Sequence, residues 1–191
     1  MKVKLQDIAD IRAGHPFRGS IKESADGNGF VIQVRDQDEY GNIHWNALVK
    51  ADIGGRKEPE WLQPGDIVFA ARGVRNLATH IADINKPVVC SPHFFQLRVN
   101  RDKVLPEFIA WQINHTLVQR YFLQSAEGSV QVSIKRAVLE QTPISIPPLE
   151  KQRLLMKLVT SAEQEKQAYQ HLIALRHNEL DAIATQVLNE L

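Results

Sequence analysis

The fold is decided by the stretch Pro147-Pro148-Leu149-Glu150-Lys151-Gln152, which opens a C-terminal tail ending at Leu191. Because proline lacks a backbone N–H, the pair ends the preceding strand, and Pro148 suits the first turn of a helix. The tail beyond contains neither Gly nor Pro and consists mostly of good helix formers. The sequence therefore predicts one helix over residues 150–190, about 60 Å long at 1.5 Å per residue.

A helix of this length exceeds the domain that precedes it, which should measure only about 40 Å across. We therefore expect the helix to need a partner surface. From Ile173 to Val187 the side chains step by three and four as in a heptad seam, interrupted by Arg176. A helix folded back on its own domain, or a hairpin broken near Ser161 or His177, remains an alternative. We assign to the seam Leu155, Leu158, Ala162, Tyr169, Ile173, Leu180, Ile183 and Val187.

Composition limits the class of protein. The chain has 191 residues, 43% hydrophobic and 24% charged, which suits one buried domain plus an appendage and argues against extended disorder. Its single cysteine, Cys90, excludes an internal disulfide and a multi-cysteine zinc site and indicates the cytoplasm. We expect no signal peptide and no membrane span. The net charge of +1 does not by itself indicate nucleic-acid binding.

The residues before the tail alternate between short strands and turns. Alternation in Phe30–Arg35 and the apolar run Ile67–Ala71 predict strands, and a sharp turn at 72–76 predicts a hairpin partner over Leu77–Ile84. Pro106 opens a helix, with a buried face formed by Ile109, Ile113, Leu117 and Tyr121. The predicted fold class is therefore α+β. A curved, mostly antiparallel sheet with packed helices occupies residues 1–148, and one long helix occupies 149–191.

No catalytic constellation stands out in the sequence. Cys90 and His93 are three positions apart on or beside a strand, so their side chains should not face each other as nucleophile and base. The seven histidines form no paired ligand motif, and no phosphate-binding glycine loop is present. We expect a non-catalytic protein without a metal or another cofactor.

The loops are rich in side chains that contact nucleic acids. The tight hairpin Arg72-Gly73-Val74-Arg75-Asn76 presents two guanidiniums and a carboxamide. Arg can bind guanine N7 and O6, Asn can pair with adenine, and basic side chains contact phosphates. A plain surface role is the alternative, because surface loops are commonly polar and basic. The candidate DNA-binding residues are Arg18, Lys22, Gln33, Arg35, Gln37, Arg56, Lys57, Arg72, Arg75, Asn76, Gln131, Ser133 and Lys135.

The segments 127–134 and 143–152 together resemble the end of a target recognition domain in the specificity subunit of type I restriction–modification enzymes. In that family a Gly/Gln-containing segment leads to a short helix, a strand, a Pro-Pro-Leu-Glu-x-Gln signature and a long coiled-coil helix. Three further stretches, 4–14, 62–69 and 105–111, are similar to the family in the same order. The opening loop departs from the commoner Thr-Pro form, since it reads His-Pro-Phe-Arg.

The resemblance implies a non-catalytic subunit that reads double-stranded DNA. In this family, methyltransferase (modification) subunits dock on the specificity subunit and through them a restriction or translocase subunit. Family members carry two recognition domains and two antiparallel helices, whereas this sequence holds one of each. We therefore expect a half-subunit that pairs with itself through antiparallel C-terminal helices and reads a split palindrome. An excised half of a longer subunit is the alternative.

Two other classes of function remain open. One is a stand-alone DNA-binding or defence-associated adaptor, which would bind DNA without a methyltransferase partner. The other is an interaction module that uses the long helix and has no DNA role.

Overall fold

The computed structural model describes residues 1–55, 58–73, 75–100, 102–125 and 133–189. The chain divides into two compact units, Met1–Leu149 and Glu150–Leu191. The first unit contains antiparallel sheets and packed helices and the second is helical, which confirms the predicted α+β class.

The strands of the first unit lie in three sheets. A four-stranded antiparallel sheet has the order β2-β8-β5-β6, a three-stranded sheet has the order β4-β3-β7, and β1 pairs with β9. Within the described ranges one strand pair is parallel, β3 with β7. The strands are β1 (Lys2–Lys4), β2 (Ala9–Ala13), β3 (Gly29–Ile32), β4 (Val49–Ala51), β5 (Asp66–Ala70), β6 (Ala78–His80), β7 (Val88–Cys90), β8 (Phe94–Val99) and β9 (Pro143–Ser145).

The strand β5 is buried along its whole length. It forms the predicted hairpin with β6, in which Val68 pairs with Thr79. The strand opens on a buried carboxylate, because Asp66 accepts two hydrogen bonds from Arg98 at 2.8 and 2.9 Å and one from Gln96 at 2.7 Å. This hydrogen bonding, together with the opposite charge of Asp66, raises the pKa of the Arg98 guanidinium against the effect of burial. The network fixes one end of the four-stranded sheet, and the hairpin that follows β5 lies at the other end.

The helical region after β8 differs from the prediction. Helix α1 (Pro106–Asn114) begins at the expected proline and buries Ile109 and Ile113, but it ends before His115, whose backbone is extended. A second helix, α2 (Thr116–Ser125), follows, and Leu117 is 70% exposed. The predicted face through Leu117 was therefore wrong. At the break, the carboxamide of Asn114 accepts from the N–H and donates to the carbonyl of Ala78, which ties the end of α1 to β6.

The second unit consists of one helix that begins beside the paired prolines. After the short helix α3 (Arg136–Glu140) and strand β9, helix α4 spans Leu149–Asn189, 41 residues. At 1.5 Å per residue it is about 60 Å long. No helix in the described ranges is long and apolar enough to cross a membrane.

Candidate nucleic-acid interface

One edge of the four-stranded sheet collects loops that are distant in sequence. Strands β2 and β5 both pair antiparallel with β8, so they run in the same direction and end at the edge where β8 begins. The N–H groups of Ala71 and Arg72, after β5, both donate to the carbonyl of His93, before β8. The N–H of Ile134 donates to the carbonyl of Ala71 at 2.9 Å and attaches the segment 133–135 to the same place.

The three-stranded sheet ends at the same edge. Because β3 and β7 are parallel, their carboxyl ends lie side by side, and the N–H of Ser91 donates to the carbonyl of Ile32 at 2.9 Å. The N–H of His15 donates to the carbonyl of Cys90 at 2.7 Å. We call this region the polar edge. It comprises His15, Gln33, Arg35, Gln37, Arg72, Arg75, Asn76, Ser91, His93, Ser133 and Lys135.

Two glycines allow this convergence. A Cβ atom on Gly14 would lie 2.0 Å from the carbonyl oxygen of Ser91, so only glycine permits the two segments to approach. Gly73, in the hairpin after β5, has a φ of +145°, and a Cβ there would lie 2.8 Å from the side chain of Val34. The hairpin is thus placed directly against the turn that follows β3.

The turn after β3 and the hairpin after β5 enclose a cleft of about 280 Å³. Arg75 bridges the two walls, because its Nη1 donates to the carbonyl of Glu39 at 2.9 Å and its Nη2 lies 3.7 Å from the Glu39 carboxylate. Both side chains are more than half exposed. The cleft lining consists of Val34, Gln37, Asp38, Glu39 and Arg75.

The acidic side of the cleft is held by an Asp-centred turn. Asp38 accepts hydrogen bonds from the N–H groups of Tyr40 and Asn42 and from the carboxamide of Asn42. Burial raises the pKa of Asp38, but these hydrogen bonds outweigh burial and hold it below its ordinary value. Asp38 therefore stays ionised and fixes the loop that carries Glu39.

The predicted DNA-binding residues of the polar edge differ in accessibility. The side chains of Arg35, Arg72, Arg75, Ser133 and Lys135 are exposed. They come from three separate loops and present four cationic groups and a hydroxyl.

Two predicted DNA-binding residues of the polar edge are engaged inside the domain. Asn76 is 6% exposed, and its carboxamide donates to the carbonyl of Ala70 at 2.8 Å. The carboxamide of Gln37 donates to the hydroxyl of Thr79 at 2.8 Å and to the carbonyl of Leu77 at 3.3 Å. In this structure both groups hold the hairpin and the turn together rather than facing solvent.

The remaining predicted residues are not part of this cluster. Arg18 and Lys22 are exposed and line a separate groove of about 770 Å³ beside Asp52 and Gly54. The predictions for Arg56, Lys57 and Gln131 lie outside the described residues.

Cys90 and His93, the two residues that the sequence offers as a nucleophile and its base, have different environments. Burial raises the pKa of the Cys90 thiol to about 12, whereas His93 is exposed. A thiol with this pKa is not ionised at neutral pH and is a poor nucleophile.

Sequence reasoning missed three members of the polar edge, His15, Ser91 and His93. Each stands one to three positions from a strand end, and strand ends carry functional side chains more often than strand centres do. That position was the available signal, but the sequence did not show which strand ends meet.

A family model described as the type I restriction modification DNA specificity domain matches residues 1–174. The chain belongs to this specificity family. No curated protein matches the chain.

Solved structures share the fold of this specificity-family chain. The HsdS subunit of Thermoanaerobacter tengcongensis superposes with a TM-score of 0.57 at 21% identity, covering 86% of this chain and 37% of that one. A chain from a study of complex assembly and conformational transition in a type I R-M system gives 0.62 at 20% identity, covering 96% and 43%. The S subunit of a type I system from M. genitalium gives 0.58 at 11%, covering 86% and 39%. The chain thus spans about two fifths of the length of these solved chains.

Proposed function

We propose that this chain is the DNA-reading specificity subunit of a type I restriction–modification system and is itself non-catalytic. One observation carries the proposal. The polar edge presents the exposed guanidiniums of Arg35, Arg72 and Arg75 together with Lys135, on loops that are attached to strand ends. Strand ends are rigid supports, and Arg is the side chain best suited to bind both phosphate and guanine. Because its proposed target is cellular DNA, we place the protein in the cytoplasm.

The proposal is tested by replacing exposed guanidiniums of the polar edge. We expect Arg35→Ala with Arg72→Ala to weaken binding to duplex DNA at least about tenfold and to lower the slope of log affinity against log salt, because phosphate or base contacts are lost. Fluorescence anisotropy over a salt series measures both quantities. Arg153→Ala, an exposed arginine on α4, is the matched control.

The outcomes separate the candidate functions. Unchanged affinity in the double variant, with the control equal to wild type, would contradict DNA reading by this edge and leave the helix-mediated interaction module. Normal DNA binding without co-purification of a methyltransferase would favour the stand-alone adaptor instead.

We further propose that methyltransferase subunits dock on this chain and bring a restriction or translocase subunit with them. The family match and the solved relative from a type I assembly support this. Two copies of the chain would pair through antiparallel α4 helices, so that two recognition domains read a split palindrome. The exposed apolar side chains of α4 support the pairing, because ten large apolar side chains exposed on one helix favour association. They are Leu154, Leu158, Tyr169, Leu172, Ile173, Leu175, Leu180, Ile183, Val187 and Leu188.

A further inference from the structure

Three polar side-chain atoms within the polar edge are buried without a hydrogen-bond partner. They are His15 Nε2, Gln33 Nε2 and Ser91 Oγ, which we call the polar trio. Nothing in the described part of the chain donates to them or accepts from them. Native domains hold few such atoms, since each destabilises the fold, and a group of them indicates a functional use.

The polar trio is joined through the backbone. The carbonyl of Ile32, which precedes Gln33, accepts a hydrogen bond from the N–H of Ser91 at 2.9 Å. The carbonyl of Cys90, which precedes Ser91, accepts one from the N–H of His15 at 2.7 Å. Gly14 touches the carbonyl of Ser91, so the segment that carries His15 cannot move far from it while the backbone keeps this arrangement. The three residues come from sequence positions far apart, and their backbone segments lie side by side.

Strand alternation places two of the side chains on the same side of the three-stranded sheet. Val31 and Val89 form a core cluster on one face, against which Phe17 packs. Because successive side chains of a strand alternate between faces, Gln33 and Ser91, two positions further on, continue toward that face. Both carboxyl ends of the parallel pair thus carry a polar group toward the face against which Phe17 packs.

His15 reaches the same side through the irregular segment 15–21. Its ring lies edge-on to Phe17 with 4.9 Å between centroids. Phe17 and Ile21 are partly buried against the core cluster that contains Val31 and Val89. The segment turns at Gly19, which has a φ of +88° and open space around its Cα. A few apolar contacts therefore hold the segment 15–21 beside the polar trio.

We propose that the polar trio is a specificity-determining set that reads the adenine edge of an A·T pair, exposed when residues 16–21 turn aside on DNA while the backbone hydrogen bond of His15 to Cys90 holds. This rests on the proposed DNA-reading function. A glutamine carboxamide matches adenine by donating to N7 and accepting from N6. The Ser91 hydroxyl and the His15 ring nitrogen supply the neighbouring hydrogen bonds. Buried, unsatisfied groups suit this use because their hydrogen bonds to DNA replace none within the protein.

If the polar trio reads DNA, its apolar variants should gain stability and lose base discrimination together, whereas a purely structural role predicts a loss of stability. Replacing an unsatisfied buried group with an apolar one should stabilise the free chain, so Gln33→Leu and Ser91→Ala should each lower the unfolding equilibrium constant about fivefold in urea titrations. The same variants should lose about tenfold discrimination at one base-pair position in selection from a randomised duplex library. Gln37→Leu is the matched control, since that carboxamide has partners and its loss should destabilise the chain.

The possible results decide between the interpretations. If Gln33→Leu destabilises the full chain as much as Gln37→Leu does, the carboxamide is structurally satisfied and the inference is overturned. It is also overturned if both variants are stabilised but select the wild-type DNA profile. If the wild-type chain itself selects no sequence, the proposed function fails, and the inference fails with it.

Discussion

Arg75 is held by an acidic residue at the point where the cleft opens. Glu39 binds its guanidinium through both the backbone carbonyl and the carboxylate. Exposed ion pairs of this kind contribute little to stability, about 0–1 kcal/mol. Beside the proposed DNA-reading surface, however, the carboxylate would also repel phosphate, so Glu39 should limit the affinity for DNA.

Glu39→Gln should therefore strengthen binding to duplex DNA about threefold at low salt, because one repulsive charge is lost and the Arg75 guanidinium is no longer neutralised by a carboxylate. The gain should shrink as salt rises. Glu163→Gln, on α4, makes the same charge change away from the polar edge and is the control. Anisotropy titrations at two salt concentrations measure the effect. Weaker binding in Glu39→Gln would show that the ion pair positions Arg75 rather than restrains it.

Asp38 should make the stability of the domain depend on pH. Its pKa is lowered in the folded chain from an ordinary value of 3.8, so its stabilising effect is complete above about pH 4 and is lost as pH falls through the lowered value. Asp38→Asn should destabilise the chain at pH 7, and the difference from wild type should vanish in acid. Urea unfolding at several pH values measures this, with the exposed Asp26→Asn as control. A difference that stays constant with pH would refute the role of the charge.

At the scale of elements, helix α4 presents its apolar side chains as a stripe. Leu158, Tyr169, Ile173, Leu180 and Ile183 are between 53% and 61% exposed. At 100° per residue they fall within one third of the helix surface. Arg176, in the same stripe, donates to Glu179 of its own helix. The guanidinium can thus lie beside the seam without an unpaired charge.

The combined variant Ile173→Glu and Leu180→Glu should convert the proposed dimer to a monomer, since two charges would be buried in the seam. Gln167→Glu with Asn178→Glu adds the same charge to the opposite face of α4 and should leave the dimer intact. Sedimentation equilibrium gives the mass of each species. Equal mass for both variants would rule out the apolar stripe as the pairing surface.

Elements with local causes were predictable from sequence. The paired prolines and the glycine-free tail determine the start of α4, and the hairpin after β5 follows from its turn. The break between α1 and α2 was not predictable, because the carboxamide of Asn114 finds its partner Ala78 36 residues away. Within the candidate site, Arg75 and Asn76 are neighbours in one turn, yet one is exposed and the other buried. Only the packed structure distinguishes them.

At the scale of the whole molecule, the proposed dimer makes helix length a ruler for the DNA target. Two domains joined by antiparallel helices would read half-sites separated by a distance that depends on the number of residues in α4. Each residue adds about 1.5 Å, and each base pair about 3.4 Å. One heptad should therefore correspond to about three base pairs.

Deleting residues 164–170 from α4 should shorten the preferred spacer between half-sites by about three base pairs, because a seven-residue deletion nearly preserves the seam. Selection from duplex libraries with spacers of varied length measures the preference. The half-site sequence should be unchanged and serves as the internal control. An unaltered spacer would show that α4 does not set the distance.

The pairing of β1 with β9 has a consequence for how the chain folds. Val3 lies opposite Ile144, so the first strand of this domain has its partner among the last residues of the domain. Closing so long a loop is slow, and it cannot occur during synthesis until β9 has emerged. At about 5–20 residues per second, Leu5, which is fully buried, waits several seconds for its surroundings. Strand β1 and the buried Leu5 therefore stay without their native partners during synthesis until β9 has emerged.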